Sequence, residues 1–133
     1  MVQRHLARMA AALAFAWILI AASAASAQDI SGGYAMSGTD FDGFSYSGTT
    51  TITRTGATYA IEQNDGGSIL AGTALYSGST LAAVFVVSGE TFLAIYDRQP
   101  DGSFSGTWTA LGQSVVGNET LVPLAGGSGG GGK

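Results

Sequence analysis

From residue 31 to residue 123 the chain alternates between apolar and small polar positions. In Phe104-Ser105-Gly106-Thr107-Trp108-Thr109, one phase carries Phe104, Gly106 and Trp108 and the other carries Ser and Thr. A half-buried strand has this pattern, because strand side chains have a period of two. A shorter copy, Phe44-Ser45-Tyr46-Ser47-Gly48-Thr49, lies upstream, with looser echoes in Met36-Ser37-Gly38-Thr39 and Tyr76-Ser77-Gly78-Ser79. Turn signals punctuate the alternation at Asp40-Phe41-Asp42-Gly43, Thr55-Gly56, Asn64-Asp65-Gly66-Gly67, Ser77-Gly78, Ser88-Gly89, Pro100-Asp101-Gly102 and Leu111-Gly112. Tight hairpins need positive φ, which Gly adopts freely and Asp and Asn tolerate. The turns separate strands predicted at 33–39, 44–54, 58–63, 68–75, 80–87, 91–97, 103–110 and 114–122. Nothing in this region has the 3.6-residue apolar period of a helix. The fold expected is all-β: an antiparallel meander of about eight strands, forming a small closed or partly open barrel, with a two-sheet sandwich as the alternative.

Phase then assigns the interior. Phe44, Tyr46, Ile52, Tyr59, Ile61, Leu81, Phe85, Phe104 and Trp108 are the expected core, with Trp108 largely buried beside Gly106. Glycine weakens a strand and usually marks a bend or close backbone approach, so Gly48, Gly72 and Gly106 predict the curvature a small barrel needs. Two neighbouring strands break the alternation: Thr-Leu-Ala-Ala-Val-Phe-Val-Val (80–87) and Thr-Phe-Leu-Ala-Ile-Tyr (91–96) are apolar on both faces. If Leu81, Ala83, Phe85, Phe92, Ala94 and Tyr96 face inward, then Ala82, Val84, Val86, Leu93 and Ile95 form one outward apolar patch. Either a second layer covers that patch, or it is a site of self-association or partner contact.

The ends of the chain read differently. Arg4, His5 and Arg8 precede an apolar run over residues 9–20, and Ala25-Ser26-Ala27 forms a small-residue cleavage site, so residues 1–27 read as a secretory signal peptide that leaves Gln28 as the first residue. The domain is then expected over 28–124, followed by a flexible Gly/Ser tail over 125–133. The protein is placed in the periplasm or outside the cell, with no membrane span in its mature chain.

Removing the leader leaves Arg54, Arg98 and Lys133 against nine acidic residues, a formal charge of −6. That balance argues against nucleic acid as a partner. The only histidine is His5, cysteine is absent and the only lysine is Lys133. Histidine-assisted, thiol and usual zinc chemistry therefore lose their defining residues. Most acids sit at turns, where local structure accounts for them, including Asp40 and Asp42, whose oxygens could otherwise interest calcium. Glu62 and Glu119 lie within strands and are expected to face solvent or pair with Arg54 or Arg98. Asn118-Glu119-Thr120 fits a glycosylation acceptor pattern common by chance, and the Ser/Thr rows read as a solvent-facing strand surface. No catalytic, metal-binding or cofactor-binding residue is assigned.

The string Tyr46-Ser47-Gly48-Thr49, with Ile52 and Tyr59, followed by Leu81-Ala82, Ala94-Ile95-Tyr96, Asp101-Gly102 and Gly106-Thr107-Trp108-Thr109, resembles a group of small exported bacterial proteins. Some of these carry the label fibronectin-binding protein. The similarity covers roughly residues 29–123 and rests on glycines and aromatics, so it implies fold and export more than activity. The group often has Trp near the end of the third strand, where this chain has Gln63. The leading functional expectation is an exported, non-enzymatic binding domain, adhesive toward a protein or matrix partner. The alternative is a carrier of a small apolar ligand, architecturally like lipocalins and avidin, and the third is a carboxylate-dependent hydrolase.

Overall fold

The computed structural model describes residues 28–125. The expected signal peptide, and the expected tail beyond Ala125, lie outside the described residues. Eight strands follow one another: β1 (Gly32–Thr39), β2 (Ser45–Thr55), β3 (Thr58–Asn64), β4 (Ile69–Ser77), β5 (Thr80–Val87), β6 (Glu90–Arg98), β7 (Phe104–Ala110) and β8 (Gly117–Pro123). Each pairs antiparallel with the next, and β8 returns to pair with β1 from Tyr34 opposite Pro123 to Thr39 opposite Asn118. The sheet is a closed barrel, which leaves no edge strand. Among the described residues, no helix is long and apolar enough to cross a membrane.

The turns fall where the sequence placed them. At Ser88-Gly89, φ is 51° and 80°, the left-handed pair of a two-residue hairpin whose twist matches its strands. Other turns are tied by carboxylates. Asp65 Oδ1 accepts from the backbone N–H of Gly67 and Ser68, and those bonds hold its pKa below the usual carboxylate value. Asp40 Oδ1 likewise accepts from the backbone of Asp42 and Phe44 at 3.0 Å each.

Two expectations need correction here. Phe44 keeps the inward phase but lies in the connection ahead of β2, at the end of the barrel wall, and it is 70% exposed. The last strand begins at Gly117 rather than residue 114. After a turn closed by Gln113 N–H donating to Ala110 O, Val115 and Val116 run exposed, with Thr109 Oγ1 donating to Val115 O.

The meander sends its connections alternately to two ends. One end is packed shut. Phe104, fully buried, meets Tyr34, Tyr76 and Tyr96 edge-on at centroid distances of 5.9, 6.0 and 6.5 Å. Ile52, Ile61, Leu81 and Leu121 pack in the same interior cluster, as does Ile30 from the segment ahead of β1. That segment is held in place by Tyr34 Oη donating to Ile30 O at 2.7 Å and by Arg54 N–H donating to Ser31 Oγ at 3.0 Å. Arg54 and Arg98 lie at this end, Arg98 donating to Gln28 Oε1 and Arg54 standing over the Tyr59 ring. The other end is open.

Candidate functional site: a cavity at the open end of the barrel

Four inward glycines stand directly opposite large aromatic residues on the neighbouring strand: Gly38 opposite Tyr46, Gly72 opposite Phe85, Gly106 opposite Tyr96 and Gly117 opposite Trp108. A Cβ on Gly38 would stand 2.6 Å from Tyr46 Oη, and one on Gly117 would stand 2.5 Å from Trp108 Nε1. The missing side chains let Tyr46, Phe85 and Trp108 lie against their partner strands and, at Gly106, let the backbone of the paired strand approach closely, a pairing known to rescue glycine in sheets.

Two of these pairs converge on one carboxylate. The register aligns a row across five strands: Tyr46 on β2, Gly38 on β1, Glu119 on β8, Gly106 on β7 and Tyr96 on β6. Each tyrosine crosses a glycine to reach Glu119. Tyr46 Oη donates to Glu119 Oε1 at 2.7 Å, and Tyr96 Oη donates to Oε2. Gln63, inward-facing on β3, donates its Nε2 to the same Oε2 at 2.6 Å. Glu119 is 5% exposed, so these three donors replace most of its hydration. The expectation that Glu119 faces solvent or meets an arginine is overturned. Position 119 shares the inward phase of Gly117 and Leu121, while Arg54 and Arg98 lie at the closed end. Glu62, by contrast, points outward and is exposed.

Beside this row lies a cavity of about 290 Å³. Met36, Leu70, Phe85, Phe92 and Trp108 supply its apolar lining, and Tyr46, Gln63, Tyr96 and Glu119 its polar lining. Asp40 and Asp65, from the turns at the open end, complete it. Trp108 is a wall of this cavity rather than a fully enclosed core residue. Its ring tilts 31° against Phe41 at 4.7 Å and meets Phe92 and Tyr46 edge-on at 6.1 and 6.4 Å. Its Nε1 and the Oγ1 of Thr50 are buried without a hydrogen-bond partner. No group of three or more His, Cys, Asp or Glu residues is placed to hold a metal ion among the described residues.

Burial, and then the charge of Glu119, push the phenols of Tyr96 and Tyr46 well above their ordinary pKa. The unfolded chain ionises its tyrosines at about pH 10 while these two stay protonated in the fold. Their contribution to stability is thus fully present below about pH 10 and is lost above it. For Tyr96 the expected slope is about 1.4 kcal/mol per pH unit. Denaturant unfolding followed across that boundary should show the decline, with Tyr96 phenolate absorbance rising only as the protein unfolds. A native Tyr96 that ionises near its ordinary value would contradict the buried row.

The residues expected as a partner patch fall on the outer wall, on the opposite face of the sheet from the cavity. Leu93 is 54% and Ile95 52% exposed, Val86 is exposed and Ala82 and Val84 are half-buried. Val84 pairs with Leu93 and Ala82 with Ile95, and Leu75, also exposed, extends the patch from β4. Among the described residues, all strands belong to the one closed barrel and no second sheet covers them.

No protein-family model matches the chain, and no curated protein matches it with significant similarity.

Proposed function

We propose that this is an exported, non-enzymatic binding protein that holds one small molecule in the open end of its barrel. The observation that carries the reading is the cavity itself, about 290 Å³, with aromatic walls and a few convergent polar groups at one side. This is the usual make-up of a small-ligand pocket, and eight-stranded barrels have room inside for a single such ligand. The buried carboxylate is engaged by three hydrogen-bond donors rather than by a nucleophile or a second acid, which favours binding over catalysis. Trp108 in the wall makes binding directly measurable. Saturable quenching or enhancement of its fluorescence by small aromatic probes is expected, and Phe92→Trp, which narrows the cavity, should abolish it. A fluorescence response that survives Phe92→Trp, or no response to any probe, would count against the reading.

The outer patch supports a second, separable reading, closer to the adhesive role that the resemblance implies. A contiguous apolar face on β4, β5 and β6 suits contact with another protein, including a second copy of the chain. Val84→Lys with Leu93→Lys should leave fold and cavity binding intact, since surface changes of this kind usually shift stability by about 0.5 kcal/mol or less. Under this reading the same variant loses any concentration-dependent association seen by sedimentation. Unfolding of the double variant would instead assign the patch to the core.

A further inference from the structure

We infer that the ligand of this cavity is a compact organic cation, an ammonium group carried on a small apolar or aromatic body, with Glu119 as its counter-charge. The inference rests on the small-molecule reading above and adds the chemical class.

Glu119 is buried against three neutral donors, and among the described residues no Arg or Lys is paired with it. A carboxylate offers about four acceptor positions. Tyr96 and Gln63 occupy Oε2 and Tyr46 takes one on Oε1, which leaves an acceptor position on Oε1. Neutral donors offset part of the cost of desolvating a carboxylate, and an adjacent cation offsets more of it. The two cations among the described residues that could serve, Arg54 and Arg98, are both engaged at the closed end. The charged groups lining the cavity, Glu119, Asp40 and Asp65, are all acidic. Their field favours cations and opposes anions within the low-dielectric walls of the barrel. The wall adds the rings of Trp108 and Phe92, and aromatic rings attract ammonium groups. A neutral apolar ligand would fill the volume but leave Glu119 without its counter-ion. A carboxylate or phosphate ligand would confront three acids.

The test uses three probes of one shape: benzylamine, protonated at neutral pH, benzyl alcohol and benzoate. Binding of each to the full chain is followed by NMR shift perturbation and by Trp108 fluorescence. Benzylamine is expected to bind about tenfold or more tighter than benzyl alcohol, a difference matching the upper range of cation–π and ion-pair effects, and benzoate is expected not to bind. Glu119→Gln should remove the preference for the amine. Asp40→Asn with Asp65→Asn, changes confined to the rim turns, should reduce it by a smaller factor. Benzyl alcohol binding as tightly as benzylamine in the unmodified protein would overturn the cation assignment while leaving the small-molecule reading intact. Failure of all three to shift cavity resonances would overturn both.

Discussion

Replacing Phe104 with alanine should remove about 3–5 kcal/mol, the usual cost of deleting a buried aromatic ring from a core. Phe104 has no exposed surface, and three tyrosines approach its ring edge-on from β1, β4 and β6. Truncation would forfeit the burial and all three ring contacts and leave a void among side chains anchored on different strands. Those strands are fixed by a closed ladder and cannot collapse into the space, so the cost should lie toward the upper end of the range. Small domains have a total stability of about 5–15 kcal/mol, so the variant should be partly unfolded at physiological temperature. Denaturant unfolding with an unchanged m-value checks the prediction. A loss below about 1 kcal/mol would mean that this end of the barrel is not packed as described.

Gly106→Ala should be among the most damaging single-methyl changes in the described residues. An added Cβ would come within 2.8 Å of the Ile95 carbonyl carbon and the Tyr96 Cα, and closer still to the Ile95 oxygen. These are backbone atoms of the paired strand, so no rotamer change relieves the clash, and β6 and β7 must separate. Overpacking costs about 1–3 kcal/mol when side chains can move, and here about 3 kcal/mol or more is expected. Separation of these strands also draws Tyr96 away from Glu119. Loss of stability should therefore be accompanied by a lower tyrosine pKa in whatever fraction remains folded. An alanine variant as stable as the parent, with Tyr96 still protonated above pH 10, would show that the glycine serves no close approach.

Much of this architecture is written locally in the chain. Asp65-Gly66 and Ser88-Gly89 announce their turns because the chemistry of a tight turn is carried within a few residues. Phase alone places Ile61, Phe85 and Phe104 inside. Phase fails at Phe44, where the alternation continues past the end of the wall, and at Val115-Val116, where β-branched residues occupy an exposed loop. Barrel and sandwich share the same period, so only the pairing of β1 with β8, residues far apart in sequence, separates them. Glu119 was legible in part, since it shares the phase of Leu121. An acid on the inward phase is worth heeding, as is Gln63 on the phase of Tyr59 and Ile61. What one strand cannot reveal is that Gly38 and Gly106 would stand on either side of that acid, each crossed by a tyrosine. Register between strands decides that, and register is not a local property.

The seam between β1 and β8 also sets when the cavity comes into being. Glu119 is carried by the last strand, whereas Tyr46 and Gln63 come from the second and third. The complete hydrogen-bonded row therefore forms only at ring closure, the contact with the longest loop and the greatest entropy cost to form. A nascent or partly folded chain can assemble the hairpins without owning a binding site. Occupancy by a ligand would then act as a latch on the finished ring, lowering its opening rate and stabilising only molecules in which the first and last strands have met.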